Sequence, residues 1–377
     1  MPLASIVIPC HNAARHLRDT LESAVSQTMR DVEIICVDNN SDDDTPDILS
    51  EFSHCDSRVR VIEEHEPGEG PARDAGRSIA RGSWVYFLDS DDRMEPQLLE
   101  HACSRGEQTD ADIVIFRTSY LDDQTGEVRP CPECFDISWI SRWLSPGVFS
   151  PQDNPERIFT SFQNWVHNKV FRAEFIEQQS LAFQRVHRMA DILFTCRALS
   201  EAKRIALLDE ELHLYRTNNP QSALFSADAH PLDFYHAFLA LRTSLEDHGT
   251  WKLYHDSFVN WAEEAVAMNL YRAKSFESFR AIVETMQSEG LARLDILDFA
   301  DDKVLYPIRH ACCTAIAHGD LAEIAFYYFL LERNHMNDLE TQLSRVRTSK
   351  TYRVGNMIAN PLRRVRQLLT RNDDAEK

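Results

Sequence analysis

The run GSWVYFLDSDDRMEP at residues 82–96 decides how the rest of the chain is read. A strand-forming apolar stretch, WVYFL at 84–88, ends without transition in Asp89, Asp91 and Asp92. Three carboxylates within four residues repel one another, and Arg93 is the adjacent cation. An apolar strand that empties into acids is the pattern of a buried parallel sheet with a ligand at its carboxyl edge.

Outward from that strand, helix and strand alternate. GEGPARDAGRSIARG at 68–82 predicts a loop and a helix closing on glycine, preceded by a strand in VRVIEE at 59–64. VEIICVD at 32–38 predicts another strand, followed by the turn NNSDDDT and a helix over 46–52. ASIVIP at 4–9 predicts the first strand. Ala14, Leu17, Leu21, Ala24 and Val25 then recur at helical spacing, with Asn12 placed to cap the helix. Downstream, ADIVIFRTSYLD, DQTG and EVRP at 111–130 predict a strand and a hairpin. The fold class expected is α/β, a doubly wound, mainly parallel sheet. Residues 9–12, Asp38 and Asp89 fall together at one edge of it. The first strand lacks the GxGxxG that a dinucleotide site requires, which argues against that ligand.

The chain has 377 residues and a net charge of −20, unevenly distributed. Residues 341–377 carry nine Lys/Arg against three Asp/Glu, so the body is strongly acidic and ill suited to nucleic acid. Nine cysteines follow no disulfide spacing, and CPEC at 131–134 is a lone CxxC, read as a loop. No signal-peptide pattern or spanning run occurs, so the expected location is cytoplasmic. Helical periodicity dominates from about 228 to 340, ending in Gly249, Gly290 and Gly319. The expected organisation is a catalytic domain over 1–225, a helical accessory domain over 226–340 and a basic amphipathic tail over 341–377. That tail suits an anionic membrane surface, with the protein peripheral on the inner face of the plasma membrane.

In order, the strand ending in Pro9 with Asn12 beyond it, VEIICVD, the G-x-x-x-ARDAG helix and FLDSDD resemble the family 2 glycosyltransferases of the GT-A fold. MADILFTCRALSEAKRIALLDEELHLYR at 189–216 extends the resemblance into the second half. It departs at His11 (often Tyr), Asn39 (often Asp), Asp74 (often Asn) and Ala190, where the family often has Glu.

The resemblance implies an inverting single displacement from a nucleotide-diphosphate sugar, of UDP type, to a glycan or lipid-linked acceptor in surface polysaccharide synthesis. It implies Mn²⁺ or Mg²⁺ at Asp89-Ser90-Asp91, with Asp91 the direct ligand and Asp89 at the metal or the ribose. Asp92 is expected to cap the helix starting near Pro96. Pro9, His11, Asn12, Asp38 and Asn39 are expected around the nucleoside. Arg73 is expected at the base or diphosphate, or else paired with Asp74 or Glu69. Asp191 matches the general base, as well as reading as a helix-start acid. Arg216 and the following TNNPQS are expected as a mobile loop over the diphosphate. Trp165 is expected either to stack on an acceptor sugar or to pack in the core. Asp209, Glu210 and Glu211 read as a structural turn at an edge strand. The rival readings are a sugar-nucleotide nucleotidyltransferase, which wants a glycine-rich basic loop that PCHNAARH lacks, and an inactive nucleotide-sugar-binding module.

Overall fold

The computed structural model describes residues 2–135, 147–219 and 228–348, with side chains as far as residue 334. Its centre is one mixed ten-stranded sheet. Strands β1 (Ala4–Cys10), β2 (Val32–Asp38), β3 (Val59–Glu63) and β4 (Trp84–Phe87) run parallel in the order β3-β2-β1-β4. Every residue of β1 is buried, as expected of an apolar run covered on both faces. The register pairs Cys10 with Asp38 and Val7 with Phe87, so β1, β2 and β4 finish at a common edge. Helices α1 (Leu17–Val25), α2 (Thr45–Cys55) and α3 (Glu69–Ser78) alternate with these strands. Helix α3 lies very close to the sheet: a Cβ on Gly76 would stand 2.5 Å from Val7 Cγ1, which only glycine permits.

Beyond β4 the topology departs from simple alternation. The short β5 (Arg93–Met94) turns back and pairs antiparallel with β10 (Ile205–Thr217), Met94 opposite His213. This pairing fixes where residues 88–92 lie. After α4 (Leu98–Thr109) comes β6 (Ile113–Asp122), with β7 (Val128–Pro130) as its hairpin partner. A two-residue strand, β8 (Val148–Phe149), pairs with β10. Strand β9 (Lys169–Arg172) then inserts antiparallel between β4 and β6, a strand the sequence pattern did not announce. Asp209–Glu211 do not form an edge-strand turn. They lie inside β10 at a shift in its register with β6, held by Arg117, His101 and Ser119.

Helices α5 (Ala173–Gln178) and α6 (Asp191–Glu201) complete the cover of the sheet. Phe87 of β4 meets Phe171, Phe183 and Phe194 edge to face, with ring centroids 5.0 to 6.2 Å apart. Each buried ring contributes about 1.5–3 kcal/mol. The expected helices follow as α7 (Asp233–Asp247), α8 (Trp251–Arg272), α9 (Phe276–Thr285) and α10 (Pro307–His318). Met1–Ala317 forms one compact unit, and within it α7 packs on α6 and α8. The second unit, His318–Lys377, contains α11 (Leu321–Thr348). Among the described residues no helix is long and apolar enough to cross a membrane. From residue 349 onward the expected basic tail lies outside the described residues.

Candidate active site

The acid turn is built from below. Asp92, expected as a helix cap, is instead fully buried, and α4 starts at Leu98 with no side-chain cap. Its Oδ1 accepts the backbone N–H of Arg216 at 2.7 Å and its Oδ2 lies 3.0 Å from His213 Nε2. His213 Nδ1 in turn meets the Tyr86 hydroxyl at 2.9 Å. Burial pushes the His213 imidazole down to about 3, so it is neutral. A neutral ring in this place donates from Nε2 to Asp92 and accepts at Nδ1 from Tyr86. Thr20 Oγ1 lies 2.7 Å from the Asp92 carbonyl and 2.9 Å from the Ser90 carbonyl, its single proton shared between them. The cap reading fails because the third acid faces β10 and not α4.

On this base stand the two outer acids, both partly exposed. Asp89 Oδ1 accepts from Arg73 Nη2 at 2.6 Å, and its Oδ2 lies 3.3 Å from His167 Nδ1. Burial opposes its charge, but the Arg73 guanidinium and His167 hold it well below the usual carboxylate range. Among the described residues Asp91 has no cationic partner of this kind. Asn219 Nδ2 donates to its Oδ2 at 2.9 Å, while burial, Asp92 and Asp89 push its carboxyl up to about 7. An acid destabilised by its own neighbours is suited to a divalent cation, so the donor set fits Mn²⁺ or Mg²⁺ at Asp91 better than at Asp89. Asp92, His167 and His213 also cluster, but the two imidazoles stack 4.3 Å apart at 14°, so their in-plane lone pairs do not converge on one ion.

Arg73 is buried and Asp191 partly buried, and they connect this turn to the second half of the chain. Arg73 pairs with Asp89 and lies 3.1 Å from Glu69 Oε2. Asp191 opens α6 after Met189, whose φ of 62° turns the chain into the helix. Burial raises the Asp191 carboxyl, with Arg73 pulling it down and Asp89 pushing it up, so these groups share one electrostatic environment. Arg216 is corrected from a loop arm to a buried residue of β10. Its Nε donates to the Asp91 carbonyl at 2.6 Å and its Nη1 lies 3.3 Å from Asp123 Oδ1. Of the expected loop, residues 220–222 lie outside the described residues. Trp165 stacks on Tyr215 at 5.3 Å and 19°, beside His167.

At the other side of the edge, Pro9 closes β1 against Val37 and Asp38 ends β2. His11 is exposed, with Nδ1 2.7 Å from the Asn39 carbonyl. Asn12 is no helix cap: it takes a φ of 49° four residues ahead of the His16 cap position, and its Oδ1 accepts from Asp42 N at 2.9 Å. Asn39 is buried and fully engaged. Its Nδ2 donates to the Glu64 and Glu66 carbonyls at 2.7 and 2.8 Å, and its Oδ1 accepts Gly68 N at 2.8 Å. It therefore fastens the loop leading into α3 rather than facing the edge. An ionised Asp here could not donate to those carbonyls. Asn39→Ala and Asn39→Asp are each expected to cost about 2–3 kcal/mol, read as a lower urea midpoint, because buried backbone groups lose their partners. Unchanged midpoints would show that water replaces the amide.

His167, His213 and Tyr215 escaped the sequence reading, although VHNKVFR, with polar residues in an otherwise strand-like run, was an available signal.

A mixed sheet with a carboxylate turn at its carboxyl edge, facing an arginine and a helix-start acid, defines the GT-A class. Residues 5–178, just under half of the chain, match the family model described as glycosyl transferase family 2. It is 31% identical over 222 residues to the uncharacterized glycosyltransferase EpsJ of Bacillus subtilis, covering 58% of this chain and 62% of EpsJ. It is 28% identical over 218 residues to the succinoglycan biosynthesis protein ExoO of Rhizobium meliloti, covering 57% of this chain and 61% of ExoO. Thus it matches less than two thirds of either relative. The fold superimposes on residues 1–349 of Staphylococcus aureus TarS, solved with UDP-GlcNAc, with a TM-score of 0.63 at 17% identity. That match covers 89% of this chain and 92% of the TarS fragment.

Proposed function

We propose that the protein is an inverting glycosyltransferase that moves a sugar from a UDP-sugar to a glycan or lipid-linked acceptor in surface polysaccharide synthesis. The observation that carries this is the shared environment of Asp91, Asp89, Arg73 and Asp191 at one sheet edge. The match of residues 5–178 to the family 2 model, the UDP-GlcNAc bound to the structurally similar TarS and the biosynthetic role of ExoO support it.

In this reading Asp91, assisted by Asp89, holds Mn²⁺ or Mg²⁺. The ion, when bound, offsets charge on the departing diphosphate. Arg73 adds a fixed positive charge beside Asp89, and its buried Nε has no hydrogen-bond partner among the described residues. Pro9, His11 and Asp38 receive the nucleoside, Asp38 by accepting from a base N–H. Asp191 accepts the proton of the attacking hydroxyl, and its raised proton affinity suits that task. Trp165 and Tyr215 offer a flat surface for the acceptor. The helices of 226–340 serve as an accessory region.

Thermal stabilisation by UDP, GDP and CDP, each with and without Mn²⁺, tests the proposal. UDP at a hundredfold excess over its dissociation constant contributes about 2.7 kcal/mol, a shift of several degrees. Stabilisation by none of the three, or equal stabilisation with the metal chelated, would remove the metal-dependent donor from the reading.

We also propose that residues 341–371, with eight Lys/Arg and no acid, hold the enzyme at an anionic membrane. Each basic residue near such a surface contributes about 1 kcal/mol. Full-length protein should sediment with phosphatidylserine liposomes at low salt, and a chain ending at Glu340 should not. Equal sedimentation of the two would end this assignment.

A further inference from the structure

Lys169 begins β9 and is completely buried. Its Nζ donates to the Gln163 carbonyl at 2.8 Å, the Trp165 carbonyl at 2.8 Å and Asn168 Oδ1 at 2.6 Å. Three acceptors meet three N–H groups, and none of the acceptors carries charge. Removing an ammonium from water without a carboxylate partner is expensive, and burial pushes this one down to about 7. A methionine of similar length would avoid that desolvation but strip all three oxygens of this donor, so the cation acts through the oxygens it gathers.

All three acceptors belong to residues 163–168. The ammonium therefore draws this segment into a ring whose oxygens would otherwise crowd and repel one another. The ring is fastened at its ends, by Gln163 N to the Cys134 carbonyl at 3.3 Å and by Phe116 N to the Asn168 carbonyl at 3.1 Å. Between those ends it presents Trp165, stacked on Tyr215, and His167, which stacks on the same ring at 5.3 Å and reaches Asp89. Asp191 lies within electrostatic reach of the ammonium.

We propose that Lys169 is a positioning residue for the acceptor side, an internal cation that shapes residues 163–168 so that Trp165 and His167 stand against the acid turn. The kinetic part of this proposal rests on the glycosyltransferase reading, and the conformational part stands without it.

Full-length Lys169→Met and Lys169→Gln test it by hydrogen exchange and by turnover. In Lys169→Met, amides of 163–168 should exchange at least tenfold faster while those of β1 and β2 keep their protection. Mn²⁺-dependent UDP binding, read by calorimetry, should stay within about threefold. Transfer from UDP-GlcNAc to a panel of p-nitrophenyl glycosides should fall at least tenfold relative to hydrolysis of the same donor. Lys169→Gln keeps two of the three donors and should fall between, and it carries the test if the methionine variant does not fold. Unchanged exchange at 163–168, an unchanged transfer-to-hydrolysis ratio, or loosening spread over the whole sheet would each overturn the proposal. Wild-type protein that neither binds UDP nor hydrolyses UDP-GlcNAc would sink the functional reading instead, and the exchange data would still decide whether Lys169 shapes the segment.

Discussion

Asp91→Ala is expected to lower transfer by ~10³ or more at saturating Mn²⁺. A metal acting on the leaving group supplies several kcal/mol, and each ~1.4 kcal/mol is a factor of ten. The same substitution should leave the metal-free fold as stable as before or more so. Burial, Asp92 and Asp89 raise the Asp91 carboxyl from its ordinary value to about 7, which makes its ionised form a burden on the fold. For an acid raised in this way, stability is lost as pH climbs from the unfolded value through the folded one. Wild-type protein in chelator should therefore lose melting temperature relative to Asp91→Ala between pH 4 and pH 8. Turnover in the variant within tenfold of wild type would sink the metal assignment. A lower melting temperature at pH 8 would show that Asp91 supports the turn rather than strains it.

Asp191→Asn keeps the shape of the helix start and removes the proton acceptor. Transfer should fall by ~10² or more while UDP binding persists, the split expected of a general base. The substitution sits at the first residue of α6, where loss of the helix-dipole interaction is set against relief of a carboxylate that burial disfavours, so stability should change little. If transfer survives within a few-fold, the base lies elsewhere and Glu69 is the next residue to test. Its half-exposed carboxylate lies 3.1 Å from Arg73 Nη1, beside the same acid turn. Asp209 and Glu210 are poor substitutes, because they lie within β10 with exposed side chains already paired with Arg117 and His101.

Strands β1, β2 and β3 were legible almost to the residue. β2 has the predicted bounds and β1 is longer by Cys10 alone, because strands buried on both faces read as unbroken apolar runs. Motif order singled out Asp89, Arg73 and Asp191, and Glu69 was a foreseen partner of Arg73, but the 2.6 Å pairing of Arg73 with Asp89 was not foreseen. What stayed hidden depends on partners distant in the chain. Nothing near Asp92 announces His213, which stands 121 positions away. Asn39 reads as an edge residue until the loop at 64–68 closes over it. β9 was obscured because its buried positions include Lys169, a residue whose charge argues against a core strand until its three acceptors are known.

The pairing of β5 with β10 has a consequence for the order in which the molecule becomes competent. The acid turn is encoded before residue 100, yet its floor, His213 and the Arg216 amide, is made more than a hundred residues later. During synthesis the ribosome delivers every motif of residues 5–178 before the strand that holds Asp92 exists. Until β10 docks, three acids share a loop with no fixed separation, and a long chain closure must precede any tight cation site. A fragment ending at residue 178 would thus match the family model without a finished acid turn, and any cation affinity of that turn should appear only when β10 is in place.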